Sequence, residues 1–349
     1  ISSPGMALPP ENVGWAYAKH PDVPPKAVDI FELQPQAMPE VKEGMILAKT
    51  LAVVVAPHTR AFLKLPGNDV GAEAIGLQRT EIGECVPCEV VAEVVESKSK
   101  RWEVGDRLLS FAPLVQYQTF DIDGKQGPGQ GRATKLWGSG PPEAHLNTSA
   151  GITAHVVINH HPCGMVTGPG EGGCLSGCLS FLRPRPQKTV LVTSAAGAVG
   201  VQAGQLYKLK GCRVIGVTST RAKAALLSDY GFDAAIAYKE EDMDARLAEL
   251  APEGVDVFFD NVGSWQLDVG SKHMKVGGRI VQVGCASEID NYATGNITGW
   301  KEYHRMAARE LMVGGFLLTR HMSKIPAAVL SLMLLAKRGK LKDAQTVVR

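Results

Sequence analysis

The sequence predicts an α/β protein that joins a doubly wound parallel sheet to a β-rich domain. Three observations carry this expectation. From Gln187 onward, short apolar strands alternate with helical patterns. The first of those strands runs straight into the glycine-rich turn Ala195-Ala196-Gly197-Ala198-Val199-Gly200. Before about residue 145 the apolar runs are short and β-type, and polar, Gly and Pro segments separate them.

In chain order, the β-type runs are Met45 to Val55, Glu89 to Glu96 and Arg107 to Phe111. The alternating half predicts strands at 189–193, 213–217, 234–237, 255–259 and 279–283, with helices at 198–210, 221–230, 240–250 and 264–274. Ile325 to Lys337 reads as a closing amphipathic helix. Between the two halves, residues 160–186 hold His160, His161, Cys163, Cys174 and Cys178 among many Gly and Pro residues. This segment is expected to be a surface insertion. Its His and Cys residues are zinc-ligand types, but their spacing matches no common finger or ribbon.

The glycine turn carries the first functional reading. A strand, a glycine turn and a helix in this order cradle the pyrophosphate of a dinucleotide. Gly197 lets the backbone approach the phosphates, Gly200 lets the helix pack close to the strand, and the N–H groups at the helix start face the negative charge. The second strand then distinguishes the coenzyme. An NAD site places an acid near its end for the ribose diol. Here the stretch is Thr218-Ser219-Thr220-Arg221-Ala222-Lys223, with no acid, hydroxyls first and two cations after. That suits the 2′-phosphate of NADP(H). The alternative is that Arg221 and Lys223 merely solvate a helix start. The ends of the later strands, Asp260-Asn261-Val262-Gly263 and Gly284-Cys285-Ala286-Ser287, are where such a sheet binds ligands.

Composition narrows the classes. The 349 residues suffice for two domains, and 37 basic against 35 acidic residues leave a net charge of +2. That balance points to neither nucleic acid nor a membrane surface as partner. Ala327 to Ala336, the longest apolar stretch, is too short to span a bilayer. The first residues lack the pattern of a signal peptide. Seven irregularly spaced cysteines fit a reducing compartment, so a cytoplasmic protein is expected, with a removed transit peptide left open. Cys85-Val86-Pro87-Cys88 is a lone pair and reads as structural.

The chain resembles the zinc-independent medium-chain dehydrogenase/reductases, and within them the leukotriene B4 12-hydroxydehydrogenase/prostaglandin reductase and plant alkenal double-bond reductase group. The likeness runs through Ala195–Gly200, Gly204–Cys212, Tyr230–Lys239, Phe259–Gly263, Gly277–Ile280 and Val313–Phe316, with weaker echoes at Lys49–Leu51, Pro57–Arg60 and Val104–Asp106. It implies a GroES-like β-barrel domain over 1–145 and 321–349, and a Rossmann domain over 146–320. It implies that Lys223 and Tyr238 grip the 2′-phosphate and that Asn261 and Gly284 line the nicotinamide side. Thr153 falls where a family Thr lies near the nicotinamide, and Phe316 closes a matching strand counted with the coenzyme residues. Zinc-dependent relatives need a Cys and a His at two places that read here Ala56-Pro57-His58-Thr59 and Val86-Pro87-Cys88-Glu89, so no catalytic metal is expected.

The implied reaction reduces a C=C bond conjugated to a carbonyl in a small-molecule substrate, with hydride passing from NADPH to the β-carbon. Donors at the carbonyl oxygen stabilise the charge that develops there. A proton then reaches the α-carbon. The family commonly supplies a Tyr just after the Ser of the loop following the fifth strand. Here Ile289 holds that place and Tyr292 follows three residues on, either as proton donor or as a surface residue. His58 is a second candidate donor. Two other readings stay open, an NADPH quinone oxidoreductase and a non-catalytic NADPH-binding protein. A homodimer follows by analogy, with the Gly314-Gly315-Phe316 strand as a pairing edge.

Overall fold

The computed structural model describes residues 11–19, 30–54, 59, 63, 80–123, 133–136, 148–166, 187–288, 291 and 297–342. The chain divides into two units, Ile1–Leu146 with Ile289–Ile297, and Asn147–Glu288 with Thr298–Arg349.

The first unit is antiparallel β. Strands β1 (Asn12–Tyr17) and β2 (Phe31–Gln36) pair with each other. The remaining described strands are β3 (Met45–Val53), β4 (Pro87–Ser97), β5 (Arg107–Pro113), β6 (Tyr117–Asp121) and β7 (Thr134–Leu136). They form a five-stranded sheet in the order β6-β3-β4-β5-β7. Ile46, Ala48, Val90, Ala92, Val94, Leu108 and Phe120 turn inward around Trp102. Cys88 lies in the same core, and burial pushes its thiol up to about 12, which makes it inert at neutral pH. That agrees with the structural reading of the Cys85/Cys88 pair.

The second unit is a six-stranded sheet in which every pairing is parallel. Its strands are β8 (Thr189–Val192), β9 (Arg213–Thr218), β10 (Ala234–Ala237), β11 (Val255–Asp260), β12 (Met274–Gln282) and β13 (Met312–Gly315). The order is β10-β9-β8-β11-β12-β13, the doubly wound arrangement the sequence predicts. The central strands β8, β9 and β11 are mostly apolar and buried, as strands covered on both faces are. Val190, Val192, Val214, Val257, Phe259 and Val281 enter one core. Leu191, Ile215, Val217, Phe258 and Ile280 enter the other.

The helices are α1 (Thr148–His160), α2 (Ala198–Leu209), α3 (Arg221–Leu227), α4 (Met243–Leu250), α5 (Ser264–Lys272), α6 (Arg305–Ala308) and α7 (Ile325–Lys337). Most fall within a few residues of their predicted bounds, and α7 matches at both ends.

Two expectations change. The sequence reading gives 321–349 to the barrel domain, yet the described residues 321–342 belong to the second unit. Ala328 of α7 is fully buried there, and Leu332 rests against Gly151 of α1. Gln205 of α2 then clasps Lys342, donating Nε2 to its carbonyl at 3.0 Å and accepting its N–H at 2.7 Å. The proposed insertion at 160–186 also begins as core. Cys163 is buried, the Tyr207 hydroxyl donates to the Gly164 carbonyl at 2.7 Å, and Arg279 Nη1 donates to the Met165 carbonyl at 2.9 Å. Residues 167–186 lie outside the described residues.

Candidate functional site

Strands β8 and β11 are neighbours at the centre of the sheet, where the winding reverses direction. That is where an open parallel sheet leaves a crevice at its carboxyl edge. Asp260 closes β11 and is fully buried. Its Oδ1 accepts the Thr193 hydroxyl at 2.8 Å and the backbone N–H groups of Val262 and Gly263 at 3.0 and 3.1 Å. Thr193 Oγ1 in turn accepts the Asn261 N–H at 2.9 Å, and Asn261 Nδ2 donates to the Thr193 carbonyl at 2.7 Å. Burial pushes the Asp260 carboxyl up, against the pull of these donors. The cluster locks the ends of both strands.

The glycine turn sits directly after β8. Gly197 is the N-cap of α2 in extended conformation, and no side chain caps the helix. The opening N–H groups of α2 are therefore left to another acceptor. Ala196 and Ala198 are exposed, Gly197 and Val199 half-buried, and Gly200 buried. A Cβ at Gly200 would lie 2.3 Å from the Ser194 carbonyl oxygen and 2.8 Å from Ala195 Cα. Only glycine lets this turn pass so close beneath the helix. An uncapped helix start above a turn of small residues, with glycine at 197 and 200, fits a pyrophosphate.

The ends of β9 and β10 bring a second group together. Tyr238 N–H donates to the Thr218 carbonyl at 3.0 Å, and Lys239 N–H to the Ser219 carbonyl at 3.3 Å. Thr220 caps α3 through Lys223 N–H at 3.4 Å. Arg221 and Lys223 are exposed beside Thr218, Ser219 and Tyr238, and the Tyr238 ring stands edge-on to Trp265 at 5.5 Å. This group fits a phosphorylated ribose, with one addition. No acid occurs in 218–223, but Glu240 arrives from the next loop and accepts the Arg221 N–H at 2.9 Å.

Asn261 and Gly284 also meet. A Cβ at Gly284 would lie 2.9 Å from the Asn261 carbonyl oxygen, so the chain passes there only as glycine. The Asn261 amide nitrogen is occupied by Thr193. Thr153 lies on α1, half-buried. Phe316, counted from sequence with the coenzyme residues, directly follows β13. It is 9% exposed, part of the core, stacked on His321 at 5.0 Å and edge-on to His161 at 6.0 Å. Tyr292 and His58, the two candidate proton donors, lie outside the described residues. Sequence reasoning names Asp260 only as part of a ligand-binding strand end, and it misses Thr193, the Thr193–Asp260 link and Glu240. The signal for that link was a polar residue closing each of two central apolar strands.

Residues 198–333 match the family described as zinc-binding dehydrogenase, and residues 14–126 match the N-terminal domain of oxidoreductase. Prostaglandin reductase 1 of Sus scrofa is 30% identical over 315 residues, which cover 89% of this chain and 84% of that protein. The 2-alkenal reductase (NADP(+)-dependent) of Nicotiana tabacum is 29% identical over 347 residues, covering 97% and 88%. The structure of CurA from Vibrio vulnificus in complex with NADPH superposes with a TM-score of 0.77 at 23% identity, covering 96% of this chain and 91% of that one.

Proposed function

The chain belongs to the zinc-independent medium-chain dehydrogenase/reductase family, in its prostaglandin reductase and alkenal reductase group, and from that membership we propose that it reduces the C=C bond of α,β-unsaturated ketones and aldehydes with NADPH. The observation that carries the reading is the uncapped start of α2 at the switch point, with two exposed cations at the end of the neighbouring strand. NADPH, when bound, supplies a hydride to the β-carbon.

The protein's part is placement. The opening N–H groups of α2 hold the pyrophosphate, and the turn from Ala196 to Gly200 lets it approach. Arg221, Lys223 and Tyr238 hold the 2′-phosphate, with Thr218 and Ser219 beneath. The Asp260–Thr193–Asn261 cluster fixes the floor, so that Asn261 and Gly284 line the nicotinamide side and Thr153 stands near it. Tyr292 delivers the proton at the α-carbon, with His58 as the second candidate donor. Edge strand β13, which pairs only with β12 among the described strands, supports a homodimer that joins copies along that edge. The irregular cysteine pattern supports a cytoplasmic location.

The test follows NADPH absorbance with enals, enones and quinones and identifies the products. Saturated ketones and aldehydes are the expected products. Turnover of quinones alone makes the chain a quinone oxidoreductase, and tight NADPH binding without turnover makes it a non-catalytic binding protein. Tyr292→Phe is expected to lower kcat on the order of 10²-fold with KM little changed; an unchanged kcat removes Tyr292 from the mechanism.

A further inference from the structure

Glu240 follows β10, and its carboxylate reaches the start of α3, which follows β9. Oε1 accepts the Arg221 backbone N–H at 2.9 Å, and Oε2 lies 3.6 Å from Arg221 Nε. The backbone holds the acid in place, through Tyr238 N–H on the Thr218 carbonyl and Lys239 N–H on the Ser219 carbonyl. The Arg221 side chain is 71% exposed and that of Glu240 39%. An ion pair this open to water is weak, so a dianionic phosphate, which forms stronger charge-assisted bonds, can take the guanidinium from it.

We propose that Glu240 is a positioning residue that sets coenzyme discrimination. It pairs with the Arg221 guanidinium before coenzyme arrives, so an incoming 2′-phosphate has to displace it. The carboxylate therefore lowers affinity for the phosphorylated coenzyme and leaves the unphosphorylated one untouched. The inference rests on the reading that Arg221 and Lys223 receive a 2′-phosphate. It adds that the acid missing from the end of the second strand is supplied by the third, turned toward an arginine instead of a ribose diol.

The test titrates the full-length chain with 2′,5′-ADP and with ADP, using wild type, Glu240→Gln, Arg221→Ala and the double variant. Glutamine keeps the size and the acceptor for the Arg221 N–H, so the start of α3 is retained. Glu240→Gln is expected to bind 2′,5′-ADP about two- to fivefold tighter at low salt, with ADP unchanged. The gain disappears in the Arg221→Ala background and shrinks as salt rises. An unchanged or weaker 2′,5′-ADP affinity, an equal gain for ADP, or a gain that survives Arg221→Ala overturns the proposal. Arg221→Ala alone separates the two layers. If it weakens 2′,5′-ADP while Glu240→Gln is silent, the phosphate site stands and only the role of Glu240 falls. If it leaves 2′,5′-ADP untouched, the phosphate reading itself falls.

Discussion

The Thr193 hydroxyl is shared between Asp260 and Asn261, donating to Asp260 Oδ1 at 2.8 Å and accepting the Asn261 N–H at 2.9 Å. One oxygen thus joins the ends of two central strands that are 67 residues apart in sequence. Valine has nearly the same shape and neither hydrogen bond. Thr193→Val is expected to destabilise the fold by about 1–3 kcal/mol, because it leaves a buried carboxylate and a backbone N–H short of partners. NADPH affinity is expected to fall as well, since the floor of the crevice loosens. Denaturant unfolding and a coenzyme titration check both, and a variant unchanged in both would show the cluster to be incidental.

Gly200 makes a sharper test of the turn. An added methyl would sit 2.3 Å from the Ser194 carbonyl oxygen, and that neighbour is backbone. Either α2 tilts away from β8 or the turn opens. Gly200→Ala is expected to cost about 1–3 kcal/mol and to weaken NADPH and NADH alike, because both carry the pyrophosphate. Binding of both coenzymes at wild-type affinity would mean that the pyrophosphate lies elsewhere.

Where the sequence was legible and where it was not follows from the range of the interactions. The alternating strands and helices of the second unit, and the bounds Ile325–Lys337, are readable because apolar period and turn residues are local signals. The assignments that changed depend on distant partners. Residues 161–166 look like the start of a surface insertion until Tyr207 and Arg279 are seen to bind the carbonyls of Gly164 and Met165. The segment 321–342 joins the second unit through contacts such as that between Gln205 and Lys342, 137 residues apart. At the candidate site, the cations at 221 and 223 are visible from strand position alone. Glu240 is not, because only the parallel pairing of Thr218 with Ala237 brings the two loops side by side.

The double variant Arg221→Ala/Lys223→Ala examines the phosphate site from the coenzyme's side. Both residues are exposed, so the substitutions leave the core intact. NADPH binding is expected to weaken on the order of tenfold or more, because two charge-assisted contacts to phosphate are lost, and NADH binding barely to move. Titrations with both coenzymes measure the difference, and an equal loss for the two would refute the 2′-phosphate assignment.

The opposite end of the sheet carries the strongest test of acid stability. Asp256 in β11 has a side chain 12% exposed, with Lys188 at 3.2 Å, Lys275 at 2.9 Å and the Thr189 N–H at 2.8 Å. Burial pushes its carboxyl up, but the Thr189 N–H and the two lysines outweigh burial and hold it below the ordinary carboxylate value. The unfolded chain therefore binds this proton more readily than the folded one. The stabilisation is present above the ordinary value of 3.8 and is lost as pH falls through the lower folded value. Asp256→Asn is expected to cost about 1–3 kcal/mol at neutral pH, since the amide keeps the size and loses the charge that the lysines face. The gap between variant and wild type should narrow as pH falls below the ordinary carboxylate value. Urea unfolding of both proteins across that range reads the effect, and a gap that stays constant with pH would show that the ionised carboxylate adds nothing to the fold.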